Sequence, residues 1–279
     1  MIFKIVSDSS SNLLSYNKTD YTTVPLKIIS SEKEYIDDAN LDVEGMVEDL
    51  KTVKGIVKTS CPNTGEWLDS FEGADCIFAI TLTSNLSGCY NAAMLAKEQF
   101  ISEHPDVKIC VIDSYSTGGE MQLIIEKLSE LITNGKSFEE IEKEITEYKD
   151  TTHLQFSLQS LTNLARNGRV NPAVAKIAGV LGIRVVGAAV EGVLDPAHKV
   201  RGEKKALSTI YSDMKLSGYN GGKVRINHCL NLESANLLKD KILSEFPSAD
   251  VSIIPCTALC SVYAEEGGLI IGYEGGKKH

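Results

Sequence analysis

Two hydroxyl-rich segments carry the side chains best suited to hold a ligand. One is Thr59-Ser60-Cys61-Pro62; the other runs Thr81-Leu82-Thr83-Ser84-Asn85-Leu86-Ser87-Gly88-Cys89-Tyr90. Both read as turns that precede helices. Hydroxyls set beside the free N–H groups of a helix N-terminus form an uncharged anion site, because the donors and the helix dipole face the anion together. The candidate ligand contacts are therefore Thr59, Ser60, Ser84, Ser87 and Gly88. Gly88 adds to the pattern: a residue without a side chain in a first helical turn lets a ligand approach the backbone, at a helix cost of roughly 1 kcal/mol. The same hydroxyls also serve as ordinary helix caps. Residue chemistry alone leaves two alternatives, a carboxylate or phosphate site and plain capping.

The remaining chemistry-bearing residues form weaker patterns. Asp8 and Asp113 each follow a predicted strand and precede Ser, at the carboxyl edge where open α/β sheets place ligands. A role as a cap or loop stabiliser is preferred over cation binding there. His228-Cys229 closes another predicted strand, and an ordinary strand end is preferred over a nucleophile pair. The chain has no G-x-S-x-G elbow, no dinucleotide or phosphate-loop glycine pattern and no H-E-x-x-H. Five His leave a Ser-His-Asp arrangement arithmetically open, but nothing singles one out. Seven Cys without a C-x-x-C pair read as small buried apolar residues. No catalytic residue, metal ligand or cofactor is expected.

The elements that would position these residues alternate between strand and helix, which predicts an α/β fold. Strands are expected at Phe3 to Val6, Thr22 to Ile29, Cys76 to Thr81 and Val107 to Ile112. Helical spacing covers Val43 to Val53, Leu86 to Glu98 and Met121 to Ile132. Ser137 and Glu140 form a predicted capping box opening a helix to Lys149. In the second half, strands are expected at Thr152 to Phe156, Ile183 to Val190, Lys223 to Asn227, Val251 to Ile254 and Leu269 to Gly272. Helices are expected through Leu158, Leu161 and Leu164 to a stop near Asn167-Gly168, after Pro172, from Lys204 to Lys215 and from Ser234 to Phe246. Two copies of Gly-Tyr-X-Gly-Gly-Lys, at 218 to 223 and 272 to 277, read as turns. The expected organisation is two lobes, residues 1–155 and 156–279, each a sheet flanked by helices, with a ligand pocket between them.

Charge narrows the partners. A net charge of −10 opposes general association with phosphate backbones or anionic lipid, so nucleic acid is not expected. The basic cluster from Lys199 to Lys205 reads as a solvated helix start or a dock for one acidic partner. The opening residues reach Asp8 too soon for a secretory apolar region, and no apolar run approaches the roughly 18 residues of a membrane span. A cytoplasmic protein without an integral membrane segment is expected.

Several segments together resemble the DegV family of bacterial lipid-binding proteins. They are Lys4-Ile5-Val6-Ser7-Asp8-Ser9-Ser10, Lys58-Thr59-Ser60-Cys61-Pro62, Leu86-Ser87-Gly88-Cys89-Tyr90 and Val111-Ile112-Asp113-Ser114, followed by Asn167-Gly168-Arg169-Val170 and Lys199-Val200-Arg201-Gly202. The resemblance implies a long-chain fatty acid buried between two α/β lobes, its carboxylate held by the hydroxyls of Thr59 and Ser87. It implies no enzymatic activity of its own: the bound acid is presented to a separate fatty acid kinase, and the acyl phosphate enters phospholipid synthesis. Arg169 and Arg201 match arginines of the family and are expected at the pocket mouth or on a kinase-facing surface.

The chain departs from the family at two places. Cys89 stands where Thr is usual, and Tyr263-Ala264-Glu265-Glu266-Gly267-Gly268 replaces a His followed by Gly-Pro-Gly. Tyr263 is expected to supply the missing donor, whereas Glu265 and Glu266 bring negative charge near the head group unless they turn outward. Two other readings are a hydrolase using Ser87 or Cys89, which requires a base in reach, and a regulatory module that senses another small acid.

Overall fold

The structure, a computed structural model, describes residues 1–173 and 182–278. Strand β1 (Phe3–Asp8) runs into a 3-10 turn at Ser9–Ser11. The expected strand from Thr22 to Ile29 is two strands in different sheets, β2 (Tyr21–Val24) and β3 (Lys27–Ile29). Pro25 lies between them, and without an N–H it cannot continue a ladder. β4 (Glu34–Ile36) turns back on β3, and α1 (Val43–Thr52) follows, with Asp42 accepting from the Gly45 N–H at its start.

Thr59 and Ser60 depart from the expected turn. They lie in β5 (Lys58–Ser60), paired antiparallel to β3 with Thr59 opposite Ile28. The turn comes after them, and it is Asn63 that caps α2 (Thr64–Phe71), in a capping box with Glu66. β6 (Cys76–Thr81), α3 (Cys89–Glu103), β7 (Lys108–Asp113) and α4 (Gly118–Thr133) complete the first βα series. The helix expected from Leu86 begins only at Cys89, after a loop. α5 (Phe138–Lys149) opens with the Ser137–Glu140 capping box read from the sequence.

Strand β8 (Thr152–Leu158) takes Leu158, which had been expected in a helix. α6 is therefore only Thr162–Arg166, and its stop at Asn167-Gly168 uses a left-handed Gly168. The helix expected after Pro172 falls outside the described residues. β9 (Ile183–Val190) and β10 (Val193–Arg201) form a hairpin, so the basic cluster begins in a strand rather than a helix start. α7 (Glu203–Leu216), β11 (Val224–His228), α8 (Leu232–Glu245), β12 (Val251–Pro255), α9 (Ala258–Ala264) and β13 (Leu269–Glu274) finish the chain.

The fold is mixed α/β. A four-stranded parallel sheet runs β2-β1-β6-β7 and a six-stranded sheet runs β10-β9-β8-β13-β11-β12, with a small third sheet β4-β3-β5. In the parallel sheet β6 is buried throughout: Phe78 and Ile80 face α4 and α5, while Ile77 and Ala79 face α2 and α3. Burial on both faces explains its continuous apolar run. In the second sheet Ile271 and Ile226 face α7 and α8, whereas Leu154, Phe156 and Ile270 face the other way, toward the parallel sheet.

Helix α4 lies between the two sheets. It touches β1 and β6 on one side and β8, β11 and β13 on the other, so residues around most of its circumference are buried. Its first turn sits directly on β13: a Cβ added to Gly272 would lie 2.1 Å from the backbone N of Glu120, and one added to Gly119 would lie 2.2 Å from the Arg225 carbonyl. Gly272 is thus a close-approach residue inside a strand, not the turn residue expected from its Gly-Tyr-X-Gly-Gly-Lys setting.

Gly272→Ala should force α4 away from β13. Urea unfolding is expected to show a loss of about 1 to 3 kcal/mol or more, and an unchanged midpoint would contradict this packing.

Candidate functional site

Between the sheets lies a cavity of about 300 Å³. Alternate residues of β8 (Leu154, Phe156, Leu158), together with Ile270 of β13, form one apolar wall, as the period of two in a strand requires. Leu26, Leu82, Leu86 and Leu259 face it. The volume falls at the small end of the roughly 300 to 1,000 Å³ usual for small-molecule sites.

The polar lining is a cluster of hydroxyls. Thr59 Oγ1 and Tyr263 Oη share a hydrogen bond of 2.7 Å, across a sequence separation of 204 residues. Ser60, Ser87, Gly88 and Arg169 line the same cavity. Ser87 Oγ donates to Cys89 Sγ at 3.2 Å and accepts from the Cys89 N–H at 3.4 Å. Gly88 is the cap residue of α3 at φ −78°, so its backbone does not demand glycine, and a Cβ there would only touch Cys61 Sγ at 3.4 Å. Ser84, expected with this group, is not in the cavity lining; its N–H donates to the Asp113 carboxylate at 3.2 Å. Thr117 is in the lining and was missed. It belongs to a third hydroxyl-rich turn before a helix, Ser114-Tyr115-Ser116-Thr117, which the rule applied to the other two would have found.

Buried carboxylates hold these loops. Asp8 accepts from the Leu82 N–H at 2.7 Å and the Ser10 N–H at 3.1 Å, fixing the exit of β6. Burial pushes its carboxyl up to about 6, against the opposing pull of those hydrogen bonds. Asp113 does the same for the next loop, accepting from the N–H groups of Ser84 and Tyr115. Both therefore stabilise loops. Asp37 was not singled out from the sequence: it accepts from Ser9 Oγ, Thr257 Oγ1 and the N–H groups of Ala258 and Leu259, at the start of the helix that carries Tyr263. Burial raises its carboxyl as well.

The acidic pair after Tyr263 turns away from the cavity. Glu265 accepts from Ser160 Oγ at 3.0 Å and from the Asn163 N–H at 3.1 Å, at the start of α6. Glu266 pairs with Lys51 on the surface at 2.7 Å. Arg169 lines the cavity and donates through Nε to the Leu86 carbonyl, one residue before Ser87. Arg201 is exposed at the end of β10 and does not line the cavity. His228-Cys229 is not a nucleophile pair: His228 Nδ1 accepts from the Asn231 N–H, and burial pushes the Cys229 thiol up to about 11. Among the described residues the cavity lining contains no His, Asp or Glu, so no base faces Ser87 there. Likewise no helix among them is long and apolar enough to cross a membrane.

Two sheets packed on one central helix, enclosing an apolar cavity with hydroxyls gathered along part of its wall, define an α/β protein built around an amphipathic chamber. The chain belongs to the DegV family, whose model, described as "Uncharacterised protein, DegV family", matches residues 2–274. It is 42% identical to a DegV domain-containing protein of Streptococcus gordonii, covering 98% of this chain and 99% of the relative. Among solved structures it is similar to the Streptococcus pneumoniae Fatty Acid Kinase (Fak) B3 protein loaded with linoleic acid, at 41% identity and a TM-score of 0.96 over 98% of this chain and 99% of that one. The same identity, TM-score and coverage relate it to a DegV family protein from Eubacterium eligens loaded with heptadecanoic acid.

Asp8 makes a prediction about pH. Its folded value of about 6 lies above the ordinary 3.8, so between those values the folded state binds more protons than the unfolded one. Stability is then lost as pH rises through that window and stays level above it. Between about pH 4 and 7 the wild type should lose roughly 3 kcal/mol relative to Asp8→Asn in urea titrations. Parallel pH profiles for the two proteins would refute a raised Asp8.

Proposed function

We propose that this protein binds a long-chain fatty acid in the inter-sheet cavity and presents its carboxylate to a separate fatty acid kinase. The observation that carries this reading is the division of one cavity into leucine- and phenylalanine-lined walls and a hydroxyl cluster built from Thr59, Ser60, Ser87 and Tyr263. An acyl chain gains about 0.8 kcal/mol per CH₂ removed from water. Its carboxylate needs donors, and neutral hydroxyls satisfy it without pairing its charge with a cation, which leaves an oxygen able to attack a phosphoryl group. Relatives of high similarity that hold linoleic or heptadecanoic acid support the same ligand class.

In this reading the lobes are residues 1–155 and 156–279, and the acid lies between them. Thr59 and Ser87 bind the carboxylate, with Tyr263 taking the place of the family's histidine. Gly88 leaves the backbone accessible. Arg169 holds the Leu86 carbonyl beside Ser87, and exposed Arg201 is available to a kinase. The kinase partner is supported by the name of the pneumococcal relative. Ser87 is a binding group and not a nucleophile, since its hydroxyl donates to Cys89 Sγ rather than to a base.

Mass spectrometry of the gently extracted protein should find a fatty acid at one per chain; none, even after incubation with a fatty-acid mixture, would defeat the proposal. Thr59→Ala and Ser87→Ala should each weaken retention by roughly 1 to 3 kcal/mol with the thermal transition unchanged, since each leaves a charged acceptor short of one donor. Unaltered affinity in both would remove them from the site. For Arg201→Ala, transfer to a fatty acid kinase should fall several-fold at constant fatty-acid affinity, and full transfer would exclude a docking role.

A further inference from the structure

Cys61 and Cys89 meet where the two hydroxyl segments converge. Cys61 follows Ser60 at the end of β5 and lines the cavity, while Cys89 is the first residue of α3 and is fully buried. Both belong to one small cluster with Leu26, Leu82 and Leu259. The contact is close: a Cβ on Gly88, the residue adjoining Cys89, would lie 3.4 Å from Cys61 Sγ. Ser87 Oγ donates to Cys89 Sγ at 3.2 Å, and Cys61 packs against the apolar cluster that contains Cys89.

The pair is set apart from the other thiols. All seven cysteines are free, and Cys61 is the one that is not buried. Burial pushes the thiols of Cys110 and Cys260 up to about 12 and that of Cys229 up to about 11. Its neighbour Cys89 instead shifts the Cys61 thiol downward, toward the thiolate form that reacts. A partly exposed sulfur on the cavity wall is therefore packed beside a buried thiol that can resolve it.

We propose that Cys61 and Cys89 are a peroxide-oxidised dithiol, which closes into a reversible disulfide across the wall of the cavity. The Cys61 thiolate attacks the terminal oxygen of a hydroperoxide ROOH. The O–O bond breaks, RO⁻ leaves and takes a proton as ROH, and Cys61 becomes a sulfenic acid. Cys89 sulfur then attacks Cys61 sulfur; the S–S bond forms, the S–O bond breaks, and hydroxide leaves with the Cys89 proton as water. Two thiols lose two electrons and two protons, and ROOH becomes ROH and water. The bond ties the Thr59-Ser60 strand to the Ser87-Gly88 turn and so locks the spacing of the hydroxyls. Resting on the fatty-acid reading, a carboxylate held by those hydroxyls shields Cys61 from the peroxide.

The full chain, stripped of lipid, is treated with one equivalent of hydrogen peroxide, alkylated, digested and mapped by mass spectrometry. The expected result is loss of two of the seven thiols and one peptide pair linked through Cys61 and Cys89, restored by dithiothreitol. In Cys89→Ser, Cys61 should stop at a sulfenic acid that dimedone traps. No reaction, a different linked pair, or Cys61 oxidised in the wild type without a link would overturn the dithiol. Repeating the reaction with oleic acid should slow it at least tenfold. An equal rate, with oleic acid shown to be bound, would overturn the shielding alone; an equal rate with no oleic acid bound would instead indict the fatty-acid reading, leaving the disulfide result to stand by itself.

Discussion

The chamber depends on where one carboxylate is anchored. Asp37 is fully buried just after β4, and it gathers four donors: Ser9 Oγ at 2.8 Å, Thr257 Oγ1 at 3.1 Å, and the N–H groups of Ala258 at 2.7 Å and Leu259 at 3.1 Å. Two of those donors are free backbone groups at the start of α9, where the positive end of the helix faces the acid. A desolvated carboxylate is tolerable only when so fully partnered, and without it the Ser9 hydroxyl and the N–H groups of Ala258 and Leu259 would be orphaned. Asn12 reinforces the junction by accepting from the Thr257 N–H at 2.8 Å. From that fixed end, a turn and a half of helix suffices to bring Leu259, Cys260 and Tyr263 to the cavity.

Helix α4 supplies the second constraint, because it is the layer both sheets share. At its beginning, glycine meets glycine and the backbones of α4 and β13 come into contact. Two turns further on, Glu126 takes both guanidinium arms of Arg225 on β11, at 2.6 and 2.7 Å, while Asp250 takes the second arm as well. Such a fork fixes orientation as well as distance. Contact without side chains at one end and a bidentate ion pair at mid-helix leave the six-stranded sheet little freedom to slide over α4.

Much of this architecture is legible in the residue pattern, and the failures have physical causes. Strands β6, β7, β9, β11 and β13 stand within a residue or two of their expected places because runs of β-branched and apolar residues mark buried strands clearly. The Ser137 capping box is local chemistry and forms as read. Pro25 splits an expected strand, and Leu158 fits both patterns, two residues after Phe156 as in a strand and three before Leu161 as in a helix. The hydroxyl-turn logic located Thr59, Ser60, Ser87 and Gly88 on the chamber wall but misplaced Ser84, whose backbone rather than side chain is engaged. Asp37 left no trace in the pattern, since a lone acid in a loop acquires its meaning only from α9, some 220 residues later.

The bond between Thr59 and Tyr263 has a temporal consequence. A polypeptide leaves the ribosome N-terminus first, at roughly 5 to 20 residues per second. The parallel sheet has all its strands once Asp113 has emerged. The chamber does not: one wall waits for β8, another strand of that wall waits for Ile270, and the tyrosine opposite Thr59 arrives 204 residues after it. A nascent chain thus has no closed chamber to fill. Occupancy marks a chain made past Ile270, and its stabilisation goes to such chains alone, since a ligand lowers the free energy only of the state that binds it.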